Sequence, residues 1–433
     1  MRFDFKRVSL SLTVFVAFSA ALPAAPGAPF FQGLGFLEPN SQSIAYAVTP
    51  DGNVAVGESI APEGFEAFRW TQADGMVGLG FLPNPGGFLS SQAKGVSADG
   101  DVVVGISLQP GALLEDGSAM RWTAATGMTY LGNLGGSDKG GIAEGITPDG
   151  SVIVGWCASS AGIYQPFRWT QAAGMNGLGL IPGEQIGRAQ AVSADGSIIV
   201  GNVSVNSTTN PQPFRWTQMT GIVLLPMLNP NTLGSANAIT PDGAVIVGQS
   251  AGRAVRWTAG GIQDLGTLPG GIPQGSYAAY CVSVDGSVVV GLGNFSALNE
   301  TGEAFIWDAV HGMRRIQTVL INEFGLTSLS GWVLFAARGV SADGKVMVGY
   351  GFDPNGYQEA WIASMRTTAP ADFNADGHVD LTDAALLVGC MAGPGVMTPP
   401  SGCSISMFQT ADLGGDVDVD VRDFAVLADS FTG

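Results

Sequence analysis

The chain has 433 residues, 46% of them hydrophobic and only 12% charged, which excludes an intrinsically disordered protein. A net charge of −18 with four lysines excludes attraction to nucleic acid or to anionic lipid. Four cysteines are too few for a dense disulfide framework, so stability must come mainly from packing.

Residues 1–26 read as a secretory signal, with basic Arg2, Lys6 and Arg7, an apolar run from Val8 to Leu22, and small residues Ser19, Ala20 and Ala21 for cleavage. The run is too short for a membrane span, and no later stretch reaches 18 uninterrupted apolar residues. The expectation is a secreted or cell-surface protein with no transmembrane segment in its mature chain.

Residues 27–366 are repetitive. A lone segment, Phe31 to Leu37, is followed by seven copies of a tetrad, Ser or Thr, then Pro, Ala or Val, then Asp-Gly, with Asp at 51, 99, 149, 195, 242, 285 and 343. Each tetrad precedes a β-branched run ending in Gly, such as Val54 to Gly57 and Val152 to Gly155. A Trp follows at 70, 122, 169, 216, 257, 307 and 361, and then a segment of the type Gly-Met-x-x-Leu-Gly-x-Leu, as in Gly75 to Leu82.

Each copy reads as four strands. Strand A ends at the Asp-Gly, strand B is the Val/Ile run, strand C carries the Trp, and strand D is the Leu-Gly-x-Leu segment. Seven copies at 43 to 58 residues have the count and period of a β-propeller. The seventh copy stops after strand C at Trp361, so Phe31 to Leu37 is expected to complete the last blade and close the ring. The fold class is therefore all-β, a seven-bladed propeller closed by an N-terminal outer strand. Over residues 31 to 366 these motifs resemble the bacterial extracellular HAF repeats, a likeness that implies secretion and β-architecture rather than a reaction.

The repeated residues are poor functional candidates. The seven Asp side chains fit local hydrogen bonds to their own turns, and the Trp set fits packing between blades. Arg69, Arg121, Arg168, Arg215 and Arg256 fit bracing of backbone carbonyls or turn carboxylates. Function is better sought where the copies disagree. The A to B and C to D connections are short throughout, whereas the B to C and D to A connections vary and lie on the opposite face of the ring. The longest of these are 109 to 118 with Glu115 and Asp116, 206 to 212, 295 to 303, and 317 to 335 with Trp332.

Strand A is the most informative element. Six residues before each Asp stands Ala, and four before stands Ala, Gly or Cys, as a crowded axis requires. Between them the residue changes in every copy: Tyr46, Lys94, Glu144, Gln190, Asn237, Tyr280 and Arg338. These seven read as a ring around the mouth of the central channel and form the candidate ligand-binding set.

Residues 367–433 are different in kind, with ten Asp, no Glu and a single Arg. Two loops repeat, Asp372 to Asp383 and Asp412 to Asp423, with the oxygen-ligand spacing of an EF-hand loop. The first supplies Asp372, Asn374, Asp376, the His378 carbonyl, Asp380 and Asp383. The second supplies Asp412, Asp416, Asp418, Asp420 and Asp423, but Gly414 removes the position 3 ligand and Val417 replaces the turn Gly. Short apolar helices are expected at Ala384 to Val388 and Phe424 to Leu427. Residues 371 to 431 resemble a type I dockerin, which implies Ca2+ as cofactor and a cohesin-like or cell-surface protein as partner. Cys390 and Cys403 lie close together in this exported module, while Cys157 and Cys281 fall on opposite sides of the ring, so one disulfide and two free thiols are expected.

Catalysis has little to work with. The two histidines are His378 in the calcium loop and His311 at a C to D turn, which leaves no histidine triad. The expectation is a noncatalytic, secreted propeller that binds a polysaccharide or surface protein and is attached through its C-terminal module. The alternative is a polysaccharide lyase or glycosidase with its site at the channel mouth.

Overall fold

The computed structural model describes residues 29–83, 89–108, 117–135, 140–159, 163–205, 210–272, 275–296, 301–367, 381–392, 396, 398–401, 403, 408, 411 and 419–429. The signal-like segment, Glu115 and Asp116, and the candidate ligands Asp372, Asn374, Asp376, His378, Asp380, Asp412, Asp416 and Asp418 lie outside them.

The first repeat forms an antiparallel sheet of Ser43–Val48, Val54–Ala61, Gly64–Thr71 and Gly75–Gly78, in that order. Among the described residues five sheets have four strands, and a sixth joins two such units through a single parallel bridge, Tyr164 to Ile186. Seven four-stranded units result. Their inner strands pack against one another in chain order, and the last, Val333–Val340, packs against the first.

The last unit takes its outer strand from the N-terminus. Phe30–Gly33 pairs antiparallel with Gln358–Ser364, from Phe30 opposite Ser364 to Gly33 opposite Trp361. The strand is shorter than the Phe31 to Leu37 expected, because the Gly35 N–H turns to the Glu359 carboxylate, 2.9 Å away. Strand D also starts earlier than expected. It occupies Gly75–Gly78 rather than the Leu-Gly-x-Leu segment, since Leu79 tucks into the core and the Gly80 N–H is taken by the Glu66 side chain at 2.8 Å.

The tetrad is the tightest local device. In every copy the Ser or Thr hydroxyl donates to the Asp carboxylate, as from Ser193 to Asp195 at 2.6 Å and from Thr240 to Asp242 at 2.6 Å. The same Asp accepts the N–H two residues on, 3.0 Å from Ser197 in the fourth copy. Gly196 takes φ +68°, and a Cβ there would lie 2.7 Å from Val152 in the preceding unit. Arg168 donates Nε to the Gly196 carbonyl, and Arg69 does the same to Gly100. Turn geometry and docking between units are thus set by the same few residues.

The core lies between units. Trp216 clusters with Val152 and Val154 of the unit before it, Trp361 with Val290, Ala304 and Ile306, and Trp70 with Val346, Val348 and Ile362 across the closure. Each such buried side chain stabilises the ring by roughly 2 to 3 kcal/mol. Among the described residues of the repeat region one α-helix, Ile316–Asn322, interrupts the β pattern. It sits in the longest connection, outside the repeat, and buries Ile316, Val319 and Leu320 against the cluster around Phe31 and Trp361.

The C-terminal region has helices Leu381–Cys390 and Val421–Asp429, longer than the apolar stretches suggested, and a core of its own that includes Leu387, Phe408, Val419 and Leu427. Cys390 and Cys403 form a disulfide with Cα atoms 5.2 Å apart, and Cys157 and Cys281 are free. Among the described residues no helix is long and apolar enough to cross a membrane.

Candidate functional site at the polar end of the channel

All seven variable strand A residues occupy the same irregularity. In each unit the A to B ladder shifts register at an equivalent place: between Ala45 and Ala47, Ala93 and Gly95, Ala143 and Gly145, Ala189 and Ala191, Ala236 and Ala238, Ala279 and Cys281, and Ala337 and Gly339. The skipped residues are Tyr46, Lys94, Glu144, Gln190, Asn237, Tyr280 and Arg338. A β-bulge re-aims a side chain out of the alternation of its strand, and here it does so seven times around one axis.

The bulge also explains the glycine that ends every strand B run. A Cβ on Gly57 would sit 1.9 Å from the Ile44 carbonyl oxygen, on Gly155 1.9 Å from that of Ile142, and on Gly201 1.9 Å from that of Arg188. Backbone cannot yield there, so glycine is required by the bulge opposite. The small residue after each bulge faces the neighbouring inner strand: a Cβ on Gly145 would lie 2.9 Å from the Gln190 carbonyl.

Five of the seven positions gather into a connected cluster. The Tyr46 hydroxyl donates to Glu58 Oε1 at 2.6 Å, and the Lys94 ammonium lies 3.6 Å over the Tyr46 ring. Arg338 stacks 4.1 Å over Tyr280 and lies 5.7 Å from the Tyr350 ring. Glu144 acts on Lys94 through its charge. These residues come from units six, seven, one, two and three, a continuous arc of the ring. Asn237 is used otherwise, donating Nδ2 to the Ala279 carbonyl of the next inner strand at 2.7 Å. Gln190 completes a neutral arc beside it.

Electrostatics follow from burial. Burial pushes the Lys94 ammonium below its ordinary value, with Arg338 acting the same way, while Glu144 and Glu58 oppose it. Burial and the Glu58 carboxylate push the Tyr46 phenol far up, and burial raises Tyr350 as well. At neutral pH both tyrosines are therefore hydroxyl donors. Two polar atoms in the cluster are buried without a partner, Glu58 Oε2 and Arg338 Nε.

Glu58 and Tyr350 were not in the sequence-derived set, although a signal for them exists. Both directly follow the strand B glycine, where the residue changes from copy to copy just as it does at the bulge: Glu58, Ile106, Trp156, Asn202, Gln249, Leu292 and Tyr350. Reading strand A alone left out the partners that strand B supplies.

The other end of the channel is apolar. The tetrads line a cavity of about 210 Å³ with Pro50, Ala98, Pro148, Ala194, Pro241 and Ala342 among its walls. Backbone bonds stitch neighbouring tetrads there, from Ala98 N–H to Pro148 O at 2.8 Å, Ala194 to Pro241 at 2.9 Å and Ala342 to Pro50 at 2.8 Å.

In the C-terminal region Asp383 and Asp423 occupy the same place, the third residue of each helix, and both are completely buried, with Asp420 nearly so. Asp423 accepts the Asp420 N–H at 2.8 Å. Among the described residues no three His, Cys, Asp or Glu side chains gather into a metal site.

No protein-family model and no curated protein matches the chain. Solved structures do. An oligogalacturonate lyase in complex with manganese is 13% identical with a TM-score of 0.50, over 78% of this chain and 96% of that one. An oligogalacturonate lyase from Vibrio parahaemolyticus is 9% identical with a TM-score of 0.48, over 78% and 97%. TolB from Acinetobacter baumannii is 12% identical with a TM-score of 0.39, over 75% of this chain and 64% of that one. At such identities the likeness is one of fold alone, and the fold is mostly β and propeller-like.

Proposed function

We propose that this is an exported, noncatalytic binding protein: a seven-bladed propeller that holds an extracellular ligand, a polysaccharide or a surface protein, at the polar end of its channel. The observation that carries the reading is the cluster of Tyr46, Glu58, Lys94, Tyr280, Arg338 and Tyr350, which leaves buried polar atoms unmatched on residues that the repeat does not dictate. The HAF-repeat likeness supports the exported address. A glycan array probed with the wild type and with the Tyr46, Tyr280 and Arg338→Ala triple variant tests it, with binding expected only for the wild type.

A lyase is the second reading, favoured by one observation, the buried Lys94 ammonium held below its ordinary value beside the Tyr46 hydroxyl. Release of unsaturated sugar from any bound glycan would decide for it. We assign the C-terminal region as a dockerin-like attachment module that takes Ca2+. Its candidate ligands are all oxygen donors, which suits a hard cation, and the matched burial of Asp383 and Asp423 fits a carboxylate closing each loop. Calcium titration is expected to show a tighter first site, abolished by Asp376→Ala, and a weaker second one.

A further inference from the structure

Four arginines elsewhere in the ring pair with carboxylates, whereas Arg256, like Arg338, stacks on a ring, that of Trp307, with its Nε buried and unpartnered. Arg253 pairs with Asp264 at 3.1 Å, Arg314 with Asp308 at 2.9 Å, Arg315 with Glu303 at 2.6 Å and Arg366 with Asp343 at 2.8 Å. Lys94 and Arg338 make no such ion pair among the described residues, and Glu144 and Glu58 act on Lys94 only through their charge. The Lys94 ammonium makes no hydrogen bond or ion pair among the described residues and rests on the face of Tyr46. Arg338 is held between the rings of Tyr280 and Tyr350, and its Nε is buried without an acceptor. Stacking on phenol rings favours a cation but uses none of its N–H donors. The two cations come from units two and seven, on either side of Tyr46, and both act on the Tyr46 and Glu58 pair.

The cluster also has a surplus acceptor. Glu58 receives the Tyr46 hydroxyl on one oxygen, while Oε2 is buried with no donor in a side chain only 6% exposed. A complement to all three groups must carry an anion for the cations and, close by, a hydroxyl or N–H for Glu58. Fully deprotonated inorganic anions such as sulfate and chloride lack the second feature, and neutral sugars lack the first.

We propose that the ligand is a saccharide bearing carboxylate groups, with one carboxylate between Lys94 and Arg338 and a neighbouring hydroxyl donated to Glu58. The assignment rests on reading this end of the channel as the binding site. A sugar acid offers both groups on one ring and repeats them at every residue of a chain, whereas a peptide carries carboxylates only at its C-terminus and at Asp or Glu side chains.

Calorimetric titration of the full chain with trimers of galacturonate, guluronate and glucuronate, and with each trimer after reduction of its carboxyls to alcohols, tests the class. At least one acidic trimer is expected to bind, and its reduced form to bind at least roughly tenfold more weakly. Arg338→Gln and Lys94→Gln should each lose roughly tenfold or more, while Arg338→Lys and Lys94→Arg, which keep the charge, should retain most of the affinity. The charge-keeping pair decides the matter if either Gln variant fails to show a wild-type melting curve.

Equal binding of acidic and reduced trimers overturns the carboxylate assignment. If the Tyr46, Tyr280 and Arg338→Ala variant then loses both, the channel reading stands without it. Acidic binding that survives in both Gln variants places the ligand elsewhere. Binding of none of the three acids, or a preference for the free carboxylate of tri-alanine, overturns the saccharide class.

Discussion

The two ends of the channel are built from the same seven strands, only a few residues apart, yet follow opposite rules. At the turn end one solution is repeated seven times, a hydroxyl, an Asp and a Gly, and the four tetrads without Pro donate a backbone bond to the next unit. At the other end the backbone is repeated, a bulge in every unit, but the side chain it presents is never held constant through the ring. The fold therefore fixes the bulge and leaves its occupant open. Where structure determines a residue, seven copies agree; where they differ while the backbone does not, the side chain is available for a ligand.

Removing the closure on which both ends depend should do the most damage. Deleting residues 27–40 strips Phe30–Gly33 from the last unit, unpairs the Gln358–Ser364 edge and opens the cluster around Phe31 and Trp361. Aggregation, or a melting temperature lowered by tens of degrees, is the expected result. A melting curve unchanged by the deletion would show that the ring is not held by this strand.

A sharper cut separates backbone from occupant. Gly155→Ala places a Cβ against the Ile142 carbonyl and must either flatten the bulge at Glu144 or separate the strands. A loss of about 3 kcal/mol or more is expected from denaturant titration, at the upper end for overpacking because the obstacle is backbone. Gly389→Ala is the contrast, since a Cβ there meets nothing within 4 Å. If the two substitutions proved equally mild, the bulge would not be what holds the glycine in place.

Much of this organisation was legible in the chain. Asp-Gly spacing gave the unit, the Trp register gave the surface between units, and the missing seventh strand D pointed to Phe31. What was not legible has a physical cause in each case. The bulge leaves no mark in sequence beyond a small, variable, small triplet, so the ring could be seen but not its geometry. Pairing Tyr46 with Glu58 and Arg338 with Tyr350 needs the register of strands A and B, which the bulge shifts by one residue. Strand D was set too late because Leu79 looks like a strand residue, whereas its side chain enters the core and its N–H makes the last bond to strand C, at the Ala67 carbonyl, before the chain turns away at Gly80.

Substitutions at the neutral occupants should cost far less than loss of a strand B glycine. Gln190→Ala, at a bulge on the neutral arc, is expected to shift stability by no more than about 0.5 kcal/mol. Asn237→Ala should cost about 1 kcal/mol, because it removes the 2.7 Å bond to the Ala279 carbonyl. Equal losses at both positions would mean that the neutral arc is structural throughout.

Acid supplies the finest test, and it acts on the turn end. Hydrogen bonds from their own Ser or Thr hydroxyls hold Asp99, Asp149, Asp195 and Asp242 below the ordinary carboxylate value of 3.8, with Asp195 brought down to about 2. A carboxylate whose value is lower in the folded state binds fewer protons there than in the unfolded chain. Its contribution is complete above about pH 4, and it is lost as the pH falls through the folded value. The melting temperature should therefore drop between about pH 4 and pH 2. Ser193→Ala removes the largest cause of the shift at Asp195, so that carboxylate returns toward 3.8 and has less to lose in acid. The gap in melting temperature between wild type and Ser193→Ala should be widest near pH 6 and shrink toward pH 2. Ser193 is buried and its hydroxyl also receives the Ile198 N–H, a bond that protonation of Asp195 does not remove, so the gap narrows without vanishing. A gap that keeps its full width at pH 2 would show that the hydroxyl stabilises the turn through Ile198 alone, with the Asp carboxylate adding nothing to the repeat that defines this end of the channel.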